Sequence, residues 1–181
     1  TACNFRCIYC YASAGEHPLQ NLPVNLGYRA IDAVWRNALE HGQDHFELAF
    51  HGGGEPTFAE ESFRKLVEYA KAKDLPCKIG VSSNGFWGEA ERDWILAHLD
   101  NLSLSFDGVQ DVQNRQRPLA SGPSREADRV CRAPARDPDH AKLASRGRLG
   151  VRRAPVRPDE GSGRDLRNFY GEEKHNLWAA P

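Results

Sequence analysis

The side chains of this 181-residue chain best suited to chemistry are three cysteines in the run Cys3-Asn4-Phe5-Arg6-Cys7-Ile8-Tyr9-Cys10. Thiolates are natural ligands of iron–sulfur clusters, and C-x3-C-x2-C spacing lets one tight loop present three sulfurs to three corners of a cube. A cluster that only carries electrons normally takes four cysteines. Three leave one iron open to a substrate or cofactor. The competing reading is a structural zinc ion, which wants four ligands and would recruit His17 or His51. Cys77 follows Pro76 and opens an apolar run, as a core thiol would; Cys131 is expected to be inert. Five cysteines, an odd number, make a poor disulfide framework. Clustered thiols without a secretory signal suit a reducing compartment, and the cytoplasm is the expected location.

Further polar and glycine-rich groups recur along the chain. His51-Gly52-Gly53-Gly54-Glu55-Pro56-Thr57 has neither G-x-G-x-x-G nor P-loop spacing. Its glycines allow a ligand to approach the backbone closely, and the Glu55 carboxylate suits a cationic partner. A plain strand-to-helix turn is the alternative. Ser82-Ser83-Asn84-Gly85 and Ser105-Phe106-Asp107-Gly108 follow, each also readable as an ordinary turn.

The elements that must position these groups alternate. Helical periodicity runs over Gly27–His41 (Ile31, Val34, Trp35, Ala38), Ala59–Lys73 (Phe63, Leu66, Val67, Ala70) and Glu89–Leu99 (Trp94, Ile95, Leu99). Strand patterns cover 46–50, 78–82 and 102–106. Strand–helix alternation predicts an α/β fold with a parallel sheet. In such folds active sites form where strands end, and the polar motifs lie there.

Together these motifs, in this order, resemble the radical S-adenosylmethionine (SAM) superfamily over roughly residues 1–122. Cys3-Asn4-Phe5-Arg6-Cys7-Ile8-Tyr9-Cys10-Tyr11 is similar to that family's signature, with an aromatic before the third cysteine. The resemblance implies a partial (β/α)6 TIM-like barrel, truncated after about the fourth strand and lacking its first. It implies a [4Fe–4S] cluster on Cys3, Cys7 and Cys10 whose open iron chelates SAM, and reductive cleavage to a 5′-deoxyadenosyl radical that abstracts hydrogen from a substrate. Tyr9 would lie beside the adenine. Gly53, Gly54 and Glu55 resemble the "GGE" element that receives the SAM ammonium. Ser83 and Asn84 would bond the ribose or the methionyl carboxylate. Ser105 and Asp107, with Asn114-Arg115-Gln116-Arg117-Pro118, resemble the "SxDG…HN/HD…R" stretch of the peptide- and protein-modifying subgroup. That subgroup includes sulfatase-maturating enzymes and commonly carries a SPASM extension. Ser105 would contact the cofactor, Asp107 would bond the ribose or orient its loop, and Arg117 would offer a guanidinium to a carboxylate. Gln113 departs from the subgroup's histidine. A peptide or protein substrate and a reductant such as flavodoxin or ferredoxin are the implied partners. No catalytic base is identifiable. An iron–sulfur electron carrier and an inactive remnant of such an enzyme are the alternatives.

Composition changes after Gly122. Eleven of the chain's eighteen arginines lie in 123–181, mixed with Pro, Ala, Asp and Gly. Segments such as 147–153 are expected to supply no core. The segment reads either as a basic tail without fixed structure or as the product of a shifted GC-rich reading frame. The chain has no methionine, so a fragment is expected. A net charge of -1 gives no sign of nucleic-acid binding, and no apolar run suits a membrane span.

Overall fold

The structure, a computed structural model, describes residues 1–107, 110–122 and 149–152. The expected features at Gly108, at Cys131 and in most of the arginine-rich segment lie outside the described residues. Helix α1 (Val24–Glu40) starts three residues earlier than its apolar period suggests, because Pro23 sits at the N-cap, where its missing N–H costs nothing. Strand β1 (Phe46–Phe50) follows. A 3-10 turn over Pro56–Ala59 leads into α2 (Glu60–Lys71). Then come β2 (Cys77–Ser83), α3 (Glu89–His98), β3 (Asn101–Ser105), α4 (Gln110–Gln116) and β4 (Leu149–Arg152). The sheet order is β1-β2-β3-β4 and every pairing is parallel. The described sheet is open, as expected of a partial barrel. Its fourth strand comes from within 147–153, a segment expected to supply no core; it pairs with β3 through its backbone.

Burial assigns the helix-packed face. Phe46, Ile79, Val81, Leu102 and Leu104 point into a core with Ile31 and Ala38 of α1, Phe63, Leu66, Val67 and Ala70 of α2, and Ile95 of α3. Each fully buried aliphatic side chain contributes about 1.5–3 kcal/mol. Gly27 lets α1 approach α2: a Cβ there would stand 2.4 Å from Leu66 Cδ2. Val34, on the expected apolar stripe, is instead 40 % exposed, while Trp35 and Tyr28 pack against the core.

The opposite face of the sheet is lined by small or polar residues. Ala49 pairs with Gly80, and Ser82 pairs with Ser103. None of them projects far. In a closed barrel, bulky branched residues fill the interior; these rows leave space above the sheet instead. Among the described residues no helix is long and apolar enough to cross a membrane.

Candidate cluster and cofactor site

The cysteine run is held by a second, antiparallel pairing that the sequence did not announce. Arg6 N–H donates to Pro118 O (2.7 Å), Ile8 N–H to Gln116 O (2.9 Å) and Ala120 N–H to Asn4 O (2.8 Å). Phe5 bridges Leu119 in the same register. Residues 4–8 therefore run alongside 116–120. Phe5 and Leu119 are buried together, with Cys3, Cys7 and Phe86 packed against them. Pro118 stops α4 and supplies a carbonyl without needing a partner for an N–H. Beyond Cys7 the loop tightens: Cys10 N–H donates to Cys7 O and Ser13 N–H to Cys10 O, both at 3.1 Å.

Backbone amides point at two of the sulfurs. Phe5 N–H donates to Cys3 Sγ and Ala14 N–H to Cys10 Sγ, each at 3.4 Å. Asn84 Nδ2 reaches Cys3 Sγ at 3.9 Å. Such donors favour a thiolate over a thiol. Burial works the other way, holding the Cys3 thiol above its usual value and pushing Cys7 up to about 11. Burial thus favours the protonated thiol at Cys3 and Cys7. Among the described residues no three His, Cys, Asp or Glu side chains converge as ligands of one ion. Sulfurs sharing a zinc would stand only about 3.8 Å apart, given Zn–S bonds near 2.3 Å. Ligands to separate irons of a cube need no such convergence, so the donor set fits a [4Fe–4S] cluster. Cys77 cannot join them: it opens β2, roughly 20 Å of strand away from the Ser83 end.

Glu55 is the hub of a first polar network. It is 7 % exposed and caps the 3-10 turn. Its Oε1 accepts from Thr57 N–H (3.2 Å), Thr57 Oγ1 (2.8 Å) and Ser83 Oγ (2.7 Å), and its Oε2 from Asn84 N–H (2.7 Å). Burial raises its pKa, and these hydrogen bonds pull it partly back. Asn84 Nδ2 also donates to Asn4 Oδ1 at 2.7 Å, so the network extends from the ends of β1 and β2 into the cysteine loop. Trp87 Nε1 donates to Thr57 Oγ1 at 2.9 Å. Gly54 lies directly under the chain start: Glu55 N–H donates to Ala2 O, and a Cβ on Gly54 would stand 2.3 Å from that oxygen. Gly53, at φ 73°, faces open space.

A second network joins Tyr9, Asp107 and Arg117. The Tyr9 hydroxyl donates to Asp107 (2.7 and 2.6 Å to its two oxygens) and accepts from Arg117 Nε at 2.6 Å. Arg117 Nε also lies 3.1 Å from Asp107 Oδ2. Burial and the Asp107 bond hold the Tyr9 phenol well above its usual pKa. Gln113, where the resembling subgroup has histidine, is buried and its Oε1 accepts the Asp107 N–H at 2.9 Å. Ser105 closes β3.

The structure thus gathers Cys3, Glu55, Ser83 and Asn84 in one network and Tyr9, Asp107 and Arg117 in another. Sequence reasoning did not assign Asn4, Thr57 or Gln113 to the site. The first two lie inside motifs it quoted, but nothing in their spacing marked them. A cavity of about 210 Å³ adjoins the first network: it is lined by Ala2, Phe50, Gly54, Glu55 and Phe63 among others, and by none of the three cysteines.

The model of the Radical SAM superfamily matches residues 1–133, and the chain belongs to that superfamily. It is 31 % identical over 123 residues to the sporulation killing factor maturation protein SkfB of Bacillus subtilis (strain 168), covering 67 % of this chain and 28 % of that protein. It is 27 % identical over 112 residues to GTP 3′,8-cyclase of Mannheimia succiniciproducens, covering 61 % of this chain and 32 % of that protein. The chain therefore spans about a third, or less, of the curated relatives it matches. Among solved structures, native anSMEcpe with bound AdoMet and the Kp18Cys peptide superposes with a TM-score of 0.60 at 23 % identity, covering 82 % of this chain and 39 % of that one. The same protein with AdoMet alone gives 0.57 at 22 %. These likenesses show the radical SAM fold.

Proposed function

We propose that this chain forms the cluster- and SAM-binding part of a radical SAM enzyme that acts on a peptide or protein side chain. The observation that carries the reading is the cysteine loop: three sulfurs within one short segment pinned against 116–120, amides aimed at two of them, and Cys77 held at the far end of β2. When bound, the cluster and SAM supply an electron and a hydrogen-abstracting radical.

The chain's own residues provide placement. Cys3, Cys7 and Cys10 hold three irons. Glu55 fixes the loop through Oε1, whose lone pairs are fully used, while Oε2 accepts one protein hydrogen bond and keeps a lone pair for the SAM ammonium. Gly53 lets that ligand approach the backbone, with Gly54 locked beneath Ala2. Ser83 and Asn84 bind mainly by holding Glu55 and Cys3 in register. Tyr9, Asp107 and Arg117 close the other side. The small residues Ala49, Gly80, Ser82 and Ser103 leave room above the sheet for SAM and a substrate side chain.

The peptide assignment draws on two relatives: one is named as a maturation protein and one was solved with a peptide. The test is anaerobic reconstitution, reduction and incubation with SAM, followed by chromatography for 5′-deoxyadenosine. Its formation, lost when Cys3, Cys7 and Cys10 are changed to alanine, supports the reading. A stable reduced cluster that yields none would instead favour an electron carrier or an inactive remnant of such an enzyme.

A further inference from the structure

The antiparallel ladder between 4–8 and 116–120 has a consequence for charge. Hydrogen bonds link Arg6 with Pro118, Ile8 with Gln116 and Asn4 with Ala120. The odd positions between them are the non-hydrogen-bonded pairs, where facing side chains come closest. Phe5 faces Leu119, and the next such pair is Cys7 with Arg117. Cys7 packs against the Phe5–Leu119 contact, and the register sets Arg117 beside it, where the last turn of α4 ends. Arg117 is 7 % exposed. Its Nε is fixed by the Tyr9 hydroxyl and Asp107 Oδ2, and its guanidinium lies 5.5 Å from the centre of the Tyr9 ring. The cation is held in place by these partners.

We propose that Arg117 is a positioning charge for the cluster, raising its reduction potential from directly across the strand from Cys7. This rests on the reading of Cys3, Cys7 and Cys10 as cluster ligands. One-electron reduction adds a negative charge to the cluster and its thiolates, the electron coming from an external donor. A fixed buried cation beside one ligand stabilises the reduced state, and net charge near the sulfurs is a recognised determinant of potential. Asp107 carries the opposite charge, but it stands in the loop after β3 and meets the cation at Oδ2, 3.1 Å from Arg117 Nε, rather than from the segment that runs beside Cys7. Asp107 is thereby a brake on the same effect.

The test is potentiometric titration of the reconstituted full chain, with the reduced cluster followed by EPR. Arg117→Gln is expected to make reduction roughly tenfold less favourable, a shift of about 59 mV to more negative potential. Arg117→Lys, which keeps the charge, should stay near the wild-type value. Asp107→Asn, which keeps hydrogen-bonding atoms but removes the anion, should move the potential the other way. A purely structural role would change cluster yield or thermal stability without opposite signs for the two neutralising variants. Equal shifts in Arg117→Gln and Arg117→Lys would overturn the proposal, as would an unmoved or more negative Asp107→Asn potential. If Arg117→Gln fails to hold a cluster, the Lys and Asn variants decide alone. A SAM-responsive wild-type cluster whose potential ignores these changes refutes the Arg117 role only. A wild-type chain that assembles no cluster refutes the site reading, and this proposal with it.

Discussion

Glu55 Oε2 accepts the backbone N–H of Asn84 at 2.7 Å, so one buried carboxylate joins the loops that follow β1 and β2. Replacing it with alanine would leave Ser83 Oγ, the Asn84 N–H and the Thr57 N–H without their acceptor. Each unsatisfied buried donor costs about 1–3 kcal/mol, though water entering the gap recovers part of it. Glu55→Ala is expected to lower unfolding stability by about 3 kcal/mol. Glu55→Gln, which keeps one acceptor oxygen, should lose less. Urea denaturation of the two variants checks the order; equal losses would contradict the hub role.

Gly53 and Gly54 should fail in different ways. At Gly54 a methyl group meets the Ala2 carbonyl, a backbone atom that cannot swing aside. Gly54→Ala should displace the start of the cysteine loop and reduce iron bound per chain. At Gly53 a methyl group meets open space, but φ is 73°, so the expected cost is about 1 kcal/mol of backbone strain. Gly53→Ala should keep its iron and bind SAM more weakly, because the methyl occupies the approach path. Iron analysis with SAM-binding titration separates the two.

Tyr9→Phe removes the hydroxyl between Asp107 and Arg117 but leaves that ion pair, at 3.1 Å, in place. A loss of about 1–2 kcal/mol is expected, since charged partners strengthen a hydrogen bond. Tyr11→Phe is the control. Tyr11 is 76 % exposed and its hydroxyl only reaches His51 Nδ1 at 3.4 Å, so thermal denaturation should find it close to wild type.

Glu91, near the start of α3, has its carboxyl pushed up to about 7, first by burial and then by the charges of Glu60 and Glu55. A carboxyl raised in the folded state favours folding only while protonated. Its stabilisation is complete below the unfolded pKa of about 4.3 and is lost as pH rises through about 7. Glu91→Gln should therefore stabilise the protein at about pH 8 and make little difference at about pH 4. Burial is incomplete, and screening by solvent limits the gain to about 1 kcal/mol. Denaturation at the two pH values checks both the sign and its disappearance.

Much of the scaffold could be read from local pattern. Ile79, Val81, Leu102 and Leu104 alternate as half-buried strands do, and Phe63, Leu66, Val67 and Ala70 repeat at helical spacing; all are buried. The cysteines could be read because their relation is local, within one loop. What escaped is non-local or polar. Helix α4, Gln-Asp-Val-Gln-Asn-Arg-Gln, has no apolar period; Gln113 is buried there because its amide serves the Asp107 N–H, not because it is apolar. The ladder between 4–8 and 116–120 joins segments more than a hundred residues apart, and no local signal predicts such a partner. Tyr9 and Arg117 were each expected as ligand contacts, but their bond to one another needed the fold.

The central claim is that Cys3, Cys7 and Cys10 hold a [4Fe–4S] cluster with one iron open to SAM. The most direct measurement is EPR of the anaerobically reconstituted, reduced chain with and without SAM, alongside Cys7→Ala. The account predicts a [4Fe–4S]+ signal that changes when SAM is added and is absent in the variant. A signal indifferent to SAM, or one that survives Cys7→Ala, would contradict it.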